Sequence, residues 1–486
     1  MNKTFYITTP IYYANGKPHI GHAFTTLYAD VIARYKRKNG FDVFFTTGLD
    51  EHGSKIAQAA QKKGETPQAF VDKIFVYFKE LWKVLNIKYD DFIRTTSKRH
   101  EKVVLEFVKK LYDAKDIYPD FYEGYYCVGC ESFITEKNLV DGLCPDHKKP
   151  PLKIKEKNYF FNLKKYLPKI KEKIENNELK IIPETRKNEI LNIIDSKIPD
   201  FSISREKVKW GISFPYDKNQ TIYVWVDALS NYLTVLDYPD GEKFKKYWPA
   251  DVHIIGTEIN KFHSIFWPGM LLSAKLPLPK TIFVHGLFTI NGQKMSKSLG
   301  NIIDPLKLIE KFGTDGVRYL LLSQFSAFDH GDIKESEFSK KYNNDLANGI
   351  GNLLERTFTM IVNYKNSEIK ENDLIDKKIE KFTKDIEKKY RQFMDNFQLF
   401  EALREIFVLV KNLDRYIEEK KPWEMAEEKK SELNMVLASL FFGIENILEW
   451  LEPFIPSKIE MSKGYISKIK NKKIKKGERL NLFPRI

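Results

Sequence analysis

The stretch TFYITTPIYYANGKPHIGH, residues 4–22, decides the fold class of this chain. Its first residues follow the pattern of a buried strand, and apolar residues at helical spacing come directly after it. Two histidines, His19 and His22, flank Gly21 at the point where the strand gives way to the helix. Three interpretations of this pair are open: two metal ligands, ordinary chemistry at a helix start, or a phosphate site.

A second strand pattern, FDVFFTTG at residues 41–48, completes a β-α-β opening and is followed by the polar residues DEHG. Strand patterns return at 221–229, 251–256 and 281–288. Open α/β sheets bind their ligands at the carboxyl ends of the strands. We therefore predict an α/β protein with a Rossmann-like parallel sheet and a site at the end of its first strands.

Helical patterns replace the strand patterns beyond about residue 340. Apolar residues form one helical stripe over 379–413 and another over 433–451, which indicates an α-helical bundle. Before the bundle, Asp304 as N-cap and Pro305 at the first helical position predict a helix that ends near Gly313.

These patterns divide the chain into five predicted parts. They are the first half of the Rossmann-like domain at 1–117, a connective insertion at 118–215, the second half of the domain at 216–340, a helical domain at 341–460 and a basic tail at 461–486.

The net charge of +14 at pH 7 favours a polyanionic partner, but its distribution weakens that interpretation. Residues 461–486 hold nine Lys and Arg residues and one Glu, so more than half of the excess lies in the tail. No apolar run approaches the roughly 20 residues that span a bilayer, and the first residues lack a signal-peptide pattern. We expect a cytoplasmic protein with no membrane partner, and charge alone leaves a nucleic-acid partner open.

All three cysteines of the chain lie in one window, CVGCESFITEKNLVDGLCPDH. Cys127 and Cys130 form a C-x2-C pair, Cys144 and His147 form a C-x2-H pair, and thirteen residues separate the two pairs. Three thiolates and one imidazole suit tetrahedral zinc, whereas an odd number of cysteines in a cytosolic chain argues against disulfides. The alternative is three buried thiols without a metal. A closed set of four ligands predicts one structural Zn²⁺ ion per chain.

A second short motif, KMSKS at residues 294–298, lies in a glycine-flanked loop after the strand pattern at 281–288. Two lysines on such a loop could close over a polyphosphate as point charges, although alone the motif could be a solvated basic turn. PHIGH and KMSKS in this order resemble the paired signatures of the class I aminoacyl-tRNA synthetases. The resemblance favours the phosphate interpretation of His19 and His22.

The resemblance implies phosphoryl chemistry, in which an amino-acid carboxylate attacks the α-phosphate of ATP in line and pyrophosphate leaves. ATP would enter with Mg²⁺. The implied ATP-binding residues are His19, Gly21, His22, Gly256, Glu258, Lys294 and Lys297, and the implied catalytic residues are His19, His22, Lys294, Lys297 and Arg205. Gly21 would let the adenine approach the backbone. This chain departs from the family pattern at Thr257-Glu258, where Lys-Asp is frequent.

Within class I, the chain is most similar to the methionyl-tRNA synthetases, through TTPIYYANGKPHIGHA, TGLDEHG, YCVGCESF, YVWVDAL, KFHSIFWP and KMSKSLGN. Residues 118–215 are too few for the editing insertion of related synthetases. The resemblance implies that methionine is bound by Ile11, Tyr13, Asp50, Trp225, Ala228, Leu229, Tyr232, Ile259, Phe262, His263 and Trp267. Tyr232 and His263 would face the sulfur, and Asp50 would hold the α-ammonium group.

Several of the residues with implied roles also have an ordinary structural interpretation. Trp225 and Trp267 could be ordinary core residues, Asp50 could cap a helix, and His263 could be a core histidine. Arg205 could be a surface arginine on an irregular connector.

The helical domain would read the anticodon of tRNA(Met) by analogy with the family. Asn352 and Arg356 in GNLLERT lie four residues apart, on one helix face, and Trp423 in KKPWEMA matches a residue that stacks on a base. Without the resemblance, Asn352 and Arg356 read as a surface pair and Trp423 as a core residue at the end of the bundle. Since the sequence stops at LNLFPRI, we expect a monomer whose tail packs back toward the catalytic domain. A separate RNA-binding subunit is also possible.

The resulting hypothesis is ATP-dependent charging of initiator and elongator tRNA(Met) with L-methionine. Two alternatives belong to other classes: another class I synthetase or a nucleotidyltransferase without an RNA step, and a catalytically inactive tRNA-binding homologue. The helical domain argues against the nucleotidyltransferase, and the intact signatures argue against the inactive homologue.

Overall fold

The computed structural model describes residues 3–134, 136, 139–145, 148–294, 303–365, 369, 373–425, 430–471 and 479–486. The chain divides into two compact units. The first unit comprises residues 1–18, 36–83 and 87–285, and the second comprises residues 19–35, 84–86 and 286–486.

A parallel sheet, called here the central sheet, organises the first unit. Its six described strands lie in the order Asp91–Arg94, Asp42–Asp50, Thr4–Tyr13, Val252–Gly256, Thr281–His285 and Lys180–Ile182. All five neighbouring pairs run parallel. The four inner strands are mostly buried along their length, as a sheet covered on both faces requires, whereas the edge strands Asp91–Arg94 and Lys180–Ile182 are only partly buried.

The chain order of the strands reverses beside Thr4–Tyr13, because the neighbours of this strand are the second strand on one side and Val252–Gly256 on the other. Such a switch point opens a crevice at the carboxyl ends of the strands. Tyr13, Asp50 and Gly256 end three adjacent strands there. The predicted position of the site in the sheet follows from this topology.

The predicted insertion forms an antiparallel sheet with strands Ile117–Cys127, Ser132–Ile134, Leu152–Phe161 and Phe201–Ser202. Its strand Lys180–Ile182 joins the edge of the central sheet instead. Helices of the first unit lie at Ser54–Gln61, Pro67–Val84, Lys98–Asp113, Leu167–Glu175, Glu184–Asp195, Val224–Leu229, Asn231–Thr234, Glu242–Tyr247 and Trp267–Ser273, with shorter helical turns at Leu163–Lys165, Thr257–Ile259 and Phe262–Phe266.

The predicted strand over residues 221–229 is wrong for most of its length. Only Thr221–Ile222 is a strand, paired antiparallel with Ser204–Arg205, and the chain then turns into the helix Val224–Leu229. The apolar residues of this segment are buried on every side, so their spacing carries no period that separates a strand from a helix.

The second unit is mainly helical. Its helices are Ile20–Lys38, which continues into the first unit, and Pro305–Leu322, Glu335–Lys341, Tyr342–Gly351, Asn352–Lys365, Lys377–Asp395, Leu399–Lys420, Pro422–Glu424, Lys430–Leu451 and Pro456–Lys470. A small sheet of Phe288–Ile290, Gln293–Lys294 and Gly331–Ile333 accompanies them.

Arg318 holds the interior of the second unit together. Its guanidinium is fully buried and donates to the Asp30 carboxylate at 2.7 Å. It also donates to the backbone carbonyls of Leu85, Pro453 and Phe454 at 2.7–3.0 Å. A single buried cation thus joins three segments that are far apart in the chain.

The helix that Asp304 and Pro305 open is confirmed, because the Asp304 carboxylate accepts from the Leu306 backbone at 2.9 Å. Gly313 takes the left-handed φ of 70° and interrupts the helix where the sequence predicted its end. The single apolar stripe predicted over 379–413 lies on two helices. The helical conformation ends at Asp395 and resumes at Leu399, and Phe397 between them has φ 61°.

The α/β class with a parallel sheet and a helical C-terminal part is confirmed. The five domain boundaries stay predictions. One described helix, Lys430–Leu451, is long and apolar enough to cross a bilayer, but most of it is buried inside the protein, as in the core helix of a bundle.

The end of the tail packs on the helical part of the second unit. Asn343 and Ile486 exchange two hydrogen bonds of 2.7 and 3.0 Å, and the buried Phe483 lies edge-on to Tyr342. The described tail residues 479–486 therefore contact the helices around residues 342–355, whereas we expected contacts toward the catalytic domain.

Candidate active site

The residues predicted to bind methionine lie in four segments of the first unit. Ile11 and Tyr13 lie at the end of the first strand and Asp50 ends the second. The remaining predicted residues come from two helical segments, 224–234 and 257–267. Leu229, Tyr232, Phe262 and Trp267 belong to one buried hydrophobic cluster, and Tyr13, Trp225 and Ile259 pack against it, so chain segments more than 200 residues apart meet there.

Tyr232 and His263 form a buried hydrogen-bonded pair. The Nδ1 of His263 lies 3.0 Å from the carbonyl oxygen of Ile259, which can only accept, so Nδ1 carries the proton. The Nε2 atom then accepts from the Tyr232 hydroxyl at 2.8 Å. Burial lowers the pKa of His263 to about 4, so the pair is neutral at pH 7. Both side chains were predicted to face the sulfur, and the structure brings them together.

Further aromatic rings lie on the same two helical segments. Trp225 stacks on Phe262 at 3.8 Å between ring centroids, with an interplanar angle of 5°. Trp267 is fully buried and tilts against Tyr232 at 6.0 Å. Rings of this kind make favourable contacts with a thioether sulfur. Ala228 and Leu229 are buried on the neighbouring helix, which extends the apolar wall.

Asp50 is buried at the end of the second strand, with 6% of its surface exposed. Its Oδ1 atom has no hydrogen-bond partner among the described residues. Burial, and then the charge of Asp227, raise the pKa of the Asp50 carboxyl well above its ordinary value, while the amide of His52 opposes the shift. A buried carboxylate oxygen without a donor is the acceptor that an ammonium group requires.

Arg205 lies in the interior, so its interpretation as a surface arginine is wrong. Its guanidinium is 4% exposed and binds the Glu156 carboxylate with two contacts of 2.9 and 3.2 Å. The same group lies 4.0 Å above the ring of Tyr126. The third nitrogen, Nη1, has no partner among the described residues. Arg205 is therefore held rigidly while one donor stays available.

The cysteine knuckle brings the sulfur atoms of Cys127, Cys130 and Cys144 within 4.8 Å of one another. The sulfurs of Cys130 and Cys144 are 3.6 Å apart. Sulfurs at the corners of a zinc tetrahedron are about 3.8 Å apart, given Zn–S bonds of about 2.3 Å. The three cysteines fit the metal, and the predicted fourth ligand, His147, lies outside the described residues.

His19 and His22 begin the helix Ile20–Lys38 in the second unit. The Nδ1 of His19 accepts from the Gly21 amide at 3.1 Å, and the Nδ1 of His22 accepts from the His19 amide at 3.2 Å. The rings stack 3.9 Å apart. Because each Nδ1 accepts, the ring proton of each histidine lies on Nε2.

The other predicted ATP-binding residues are described only in part. Gly256 ends a strand of the central sheet, and the exposed Glu258 lies in the turn Thr257–Ile259 that follows. Lys294 lies in the short strand Gln293–Lys294. Lys297 lies outside the described residues.

The predicted anticodon-binding residues lie in the helical part of the second unit. Asn352 begins the helix Asn352–Lys365 and is exposed, and Arg356 follows one turn later with a 2.7 Å ion pair to Glu418. Trp423 is 44% exposed in the turn Pro422–Glu424. Its interpretation as a core residue is therefore wrong.

Comparison with known proteins identifies the family. The model "tRNA synthetases class I (M)" matches residues 5–152 and 147–358, and the model "Anticodon-binding domain of tRNA ligase" matches residues 376–460. The methionine–tRNA ligase of Caldanaerobacter subterraneus subsp. tengcongensis is 46% identical over 464 residues, which are 94% of this chain and 73% of that protein. The chain belongs to the methionine–tRNA ligase family.

Other members of the methionine–tRNA ligase family extend the likeness. The Thermotoga maritima enzyme is 44% identical over 465 residues, covering 94% of this chain and 74% of that protein. The structure of Mycobacterium tuberculosis methionyl-tRNA synthetase bound by methionyl-adenylate superposes with a TM-score of 0.92 at 33% identity, covering 99% of this chain and 100% of that chain. The apo form of the same protein gives a TM-score of 0.84 at 31% identity, covering 100% and 99%.

Sequence reasoning missed several buried polar residues of this methionine–tRNA ligase family member. His52 and His100 both bind the buried Asp227 carboxylate, at 2.7 and 2.8 Å. Glu131, beside a knuckle cysteine, accepts from Tyr13. His52 stands in the quoted TGLDEHG stretch and Asp227 in YVWVDAL, so their motifs were visible even though their pairing was not.

Proposed function

We propose that this chain activates L-methionine with ATP to form methionyl-adenylate and pyrophosphate, and then transfers methionine to the 3′-terminal adenosine of initiator and elongator tRNA(Met). The observation that carries the proposal is the set of side chains at and beyond the carboxyl end of the central sheet. There a neutral Tyr232–His263 pair and aromatic walls accompany a buried carboxylate, Asp50, whose Oδ1 has no described partner.

Methionine binding uses both ends of the pocket. The α-ammonium group binds Asp50, and the thioether contacts Tyr232 and His263. A methylene changes binding by only about 1–3 kcal/mol, so shape alone separates methionine poorly from other apolar amino acids. The neutral polar pair favours a weakly polar sulfur over a hydrocarbon side chain, because a hydrocarbon makes no favourable polar contact with the hydroxyl or the imidazole.

ATP enters as its magnesium complex. His19 and His22 offer Nε2–H donors at a helix N-terminus, where backbone amides and the helix dipole also favour phosphate. Gly21 lies between them, and Lys294 and Lys297 neutralise the triphosphate from the KMSKS segment. Gly256 and Glu258 contact the nucleoside. These residues position and stabilise charge, and the reaction needs no covalent enzyme intermediate.

Arg205 contributes the remaining positive charge. Its bidentate pair with Glu156 and its contact with Tyr126 fix the guanidinium, and the unpartnered Nη1 is the donor proposed to bind the reacting groups. Such a preorganised donor loses no orientational freedom when the substrate binds.

Cys127, Cys130, Cys144 and His147 would hold one structural zinc ion. The spacing of the three described sulfurs supports the metal. When bound, zinc cross-links the two halves of the knuckle and supplies no reactive ligand, since four protein ligands leave no open position.

The helical part of the second unit would bind the anticodon, with Trp423 stacking on a base and Asn352 and Arg356 reading base edges. The exposure of Trp423 supports this role. In the same proposal, the protein is a cytoplasmic monomer, with or without a separate RNA-binding subunit. The five parts predicted from the sequence are its domains.

Pyrophosphate exchange into ATP with a panel of amino acids tests the proposal. We expect exchange with methionine and at most weak exchange with leucine or isoleucine. Exchange with leucine or isoleucine but not methionine would refute the specificity, and the absence of exchange with every amino acid would favour a tRNA-binding protein without activity.

A further inference from the structure

Glu131 is a buried carboxylate directly after Cys130 of the knuckle. It is 3% exposed, and its backbone takes the left-handed φ of 50°, which is uncommon for a residue with a side chain. The turn of the knuckle thus directs a carboxylate into the interior of the first unit.

Three donors from different segments reach this carboxylate. The hydroxyl of Tyr13 donates to Oε1 at 3.1 Å, and the backbone amide of Lys55 donates to the same oxygen at 2.9 Å. The hydroxyl of Tyr126 donates to Oε2. A carboxylate, which only accepts, satisfies all three donors at once.

The backbone of the knuckle makes further bonds to the pocket wall. The hydroxyl of Tyr223 donates to the Glu131 carbonyl at 2.6 Å, and the indole of Trp225 donates to the Cys130 carbonyl at 3.4 Å. Tyr13 and Trp225 both belong to the predicted methionine pocket. Tyr13 is therefore hydrogen-bonded to Glu131, and Trp225 is hydrogen-bonded to the adjacent Cys130.

The packing around this cluster leaves little freedom. A Cβ atom added to Gly53 would lie 2.5 Å from the Tyr13 hydroxyl and 3.1 Å from Glu131 Oε1. Tyr13 is thus held between the turn before the helix Ser54–Gln61 and the knuckle carboxylate. If that carboxylate changes, Tyr13 is the pocket residue that loses its partner.

We propose that Glu131 is a positioning residue that fixes Tyr13, and with it the methionine-binding edge, to the cysteine knuckle. This inference rests on the proposed function, because it takes Tyr13 to border methionine. Glu131 itself touches neither substrate. A change in the knuckle therefore alters the affinity for methionine through Glu131 and Tyr13. Other residues bind ATP.

The test is Glu131→Gln in the full-length protein, assayed for methionine binding by calorimetry and for pyrophosphate exchange. Glutamine offers one acceptor oxygen and one amide donor, so at least one of the three bonds is lost. We expect the Kd and KM for methionine to rise about tenfold, as the loss of one bond to a charged group predicts. The KM for ATP and the kcat stay within about twofold.

A double-mutant cycle separates positioning from general destabilisation. Tyr13→Phe removes only the hydroxyl, so this variant should fold even if Glu131→Gln does not. It should reproduce the rise in the Kd for methionine. Glu131→Gln should then add little in the Tyr13→Phe background. Tyr166→Phe is the matched control, since it removes a phenol that binds another buried carboxylate, Asp116, outside the pocket. It should leave methionine binding unchanged.

Zinc content measured by atomic absorption should be equal in Glu131→Gln and the unmodified protein. Any of three results would overturn the inference. They are similar impairment of kcat, of the KM for methionine and of the KM for ATP, additive effects of the two substitutions, and unchanged methionine affinity. If the unmodified protein shows exchange with methionine and the variants show one of these results, the inference alone fails. If the unmodified protein shows no exchange with methionine, the proposed function fails.

Discussion

Replacing Asp50 by asparagine should weaken methionine binding by about 10- to 150-fold. One carboxylate oxygen accepts from the His52 amide, and the buried Oδ1 has no described partner. Asparagine keeps the first contact and turns an N–H group toward the α-ammonium. The expected loss is that of a hydrogen bond to a charged group, about 1.5–3 kcal/mol, which gives this range of dissociation constants.

The same substitution should abolish a pH dependence. Burial raises the pKa of the Asp50 carboxyl in the free protein, so the carboxyl takes up a proton as pH falls through that pKa. Methionine binds the ionised form, so its Kd should rise by up to about tenfold per pH unit below the pKa. Above the pKa, the affinity should be flat. Asparagine has no proton to release, and its Kd should not follow pH in this window.

Calorimetric titration with ligand analogues isolates the contact. Methioninol, which keeps the ammonium group, should lose as much affinity for Asp50→Asn as methionine does. An analogue that lacks the ammonium, 4-(methylthio)butanoate, should bind both proteins alike. Asp251→Asn is a suitable control, because Asp251 lies just before the strand Val252–Gly256, at the opposite edge of the central sheet, where it accepts from the Tyr6 amide. Equal methionine affinity of Asp50→Asn and the unmodified protein, or a retained pH slope, would refute the assignment.

Three further predictions concern the other parts of the chain. Arg318→Met should destabilise the protein by about 3–5 kcal/mol in urea unfolding, because it removes one of the two cations that bind buried Asp30 and the donor to three backbone carbonyls, whereas Lys307→Met on the exposed side of the same helix should have little effect. Cys127→Ser should lower the zinc content below one ion per chain, and an unchanged content would contradict the knuckle. Trp423→Ala should reduce tRNA charging about 5- to 150-fold, the value of one stacked base, and spare pyrophosphate exchange. Equal loss of both activities would make Trp423 structural.

The central sheet could be predicted because its order depends on local patterns. Residues 4–9 and 41–48 read as buried strands separated by a helix, and the strands Thr4–Tyr13 and Asp42–Asp50 lie side by side in the structure. Right-handed crossovers and short connections leave few alternatives for such a unit. The cysteine knuckle was equally accessible, since its ligands lie within 21 residues of one another.

Two features of the fold were not predicted from the sequence. The helices Lys377–Asp395 and Leu399–Lys420 share one apolar period, and in the turn between them Phe397, rather than the preceding Asn396, takes the left-handed conformation. The strand Lys180–Ile182 adds to the central sheet from inside the insertion, which a local pattern of three residues cannot indicate.

Asp227 is a residue of the segment 221–229 whose role depends on distant parts of the chain. Its carboxylate lies between His52 and His100, which, against the opposing effect of burial, lower its pKa to about 2. Val226, Asp227 and Ala228 are all buried, so burial at these positions does not distinguish a helix from a strand. The histidine partners lie 175 and 127 residues away, so only the folded chain reveals what this aspartate requires.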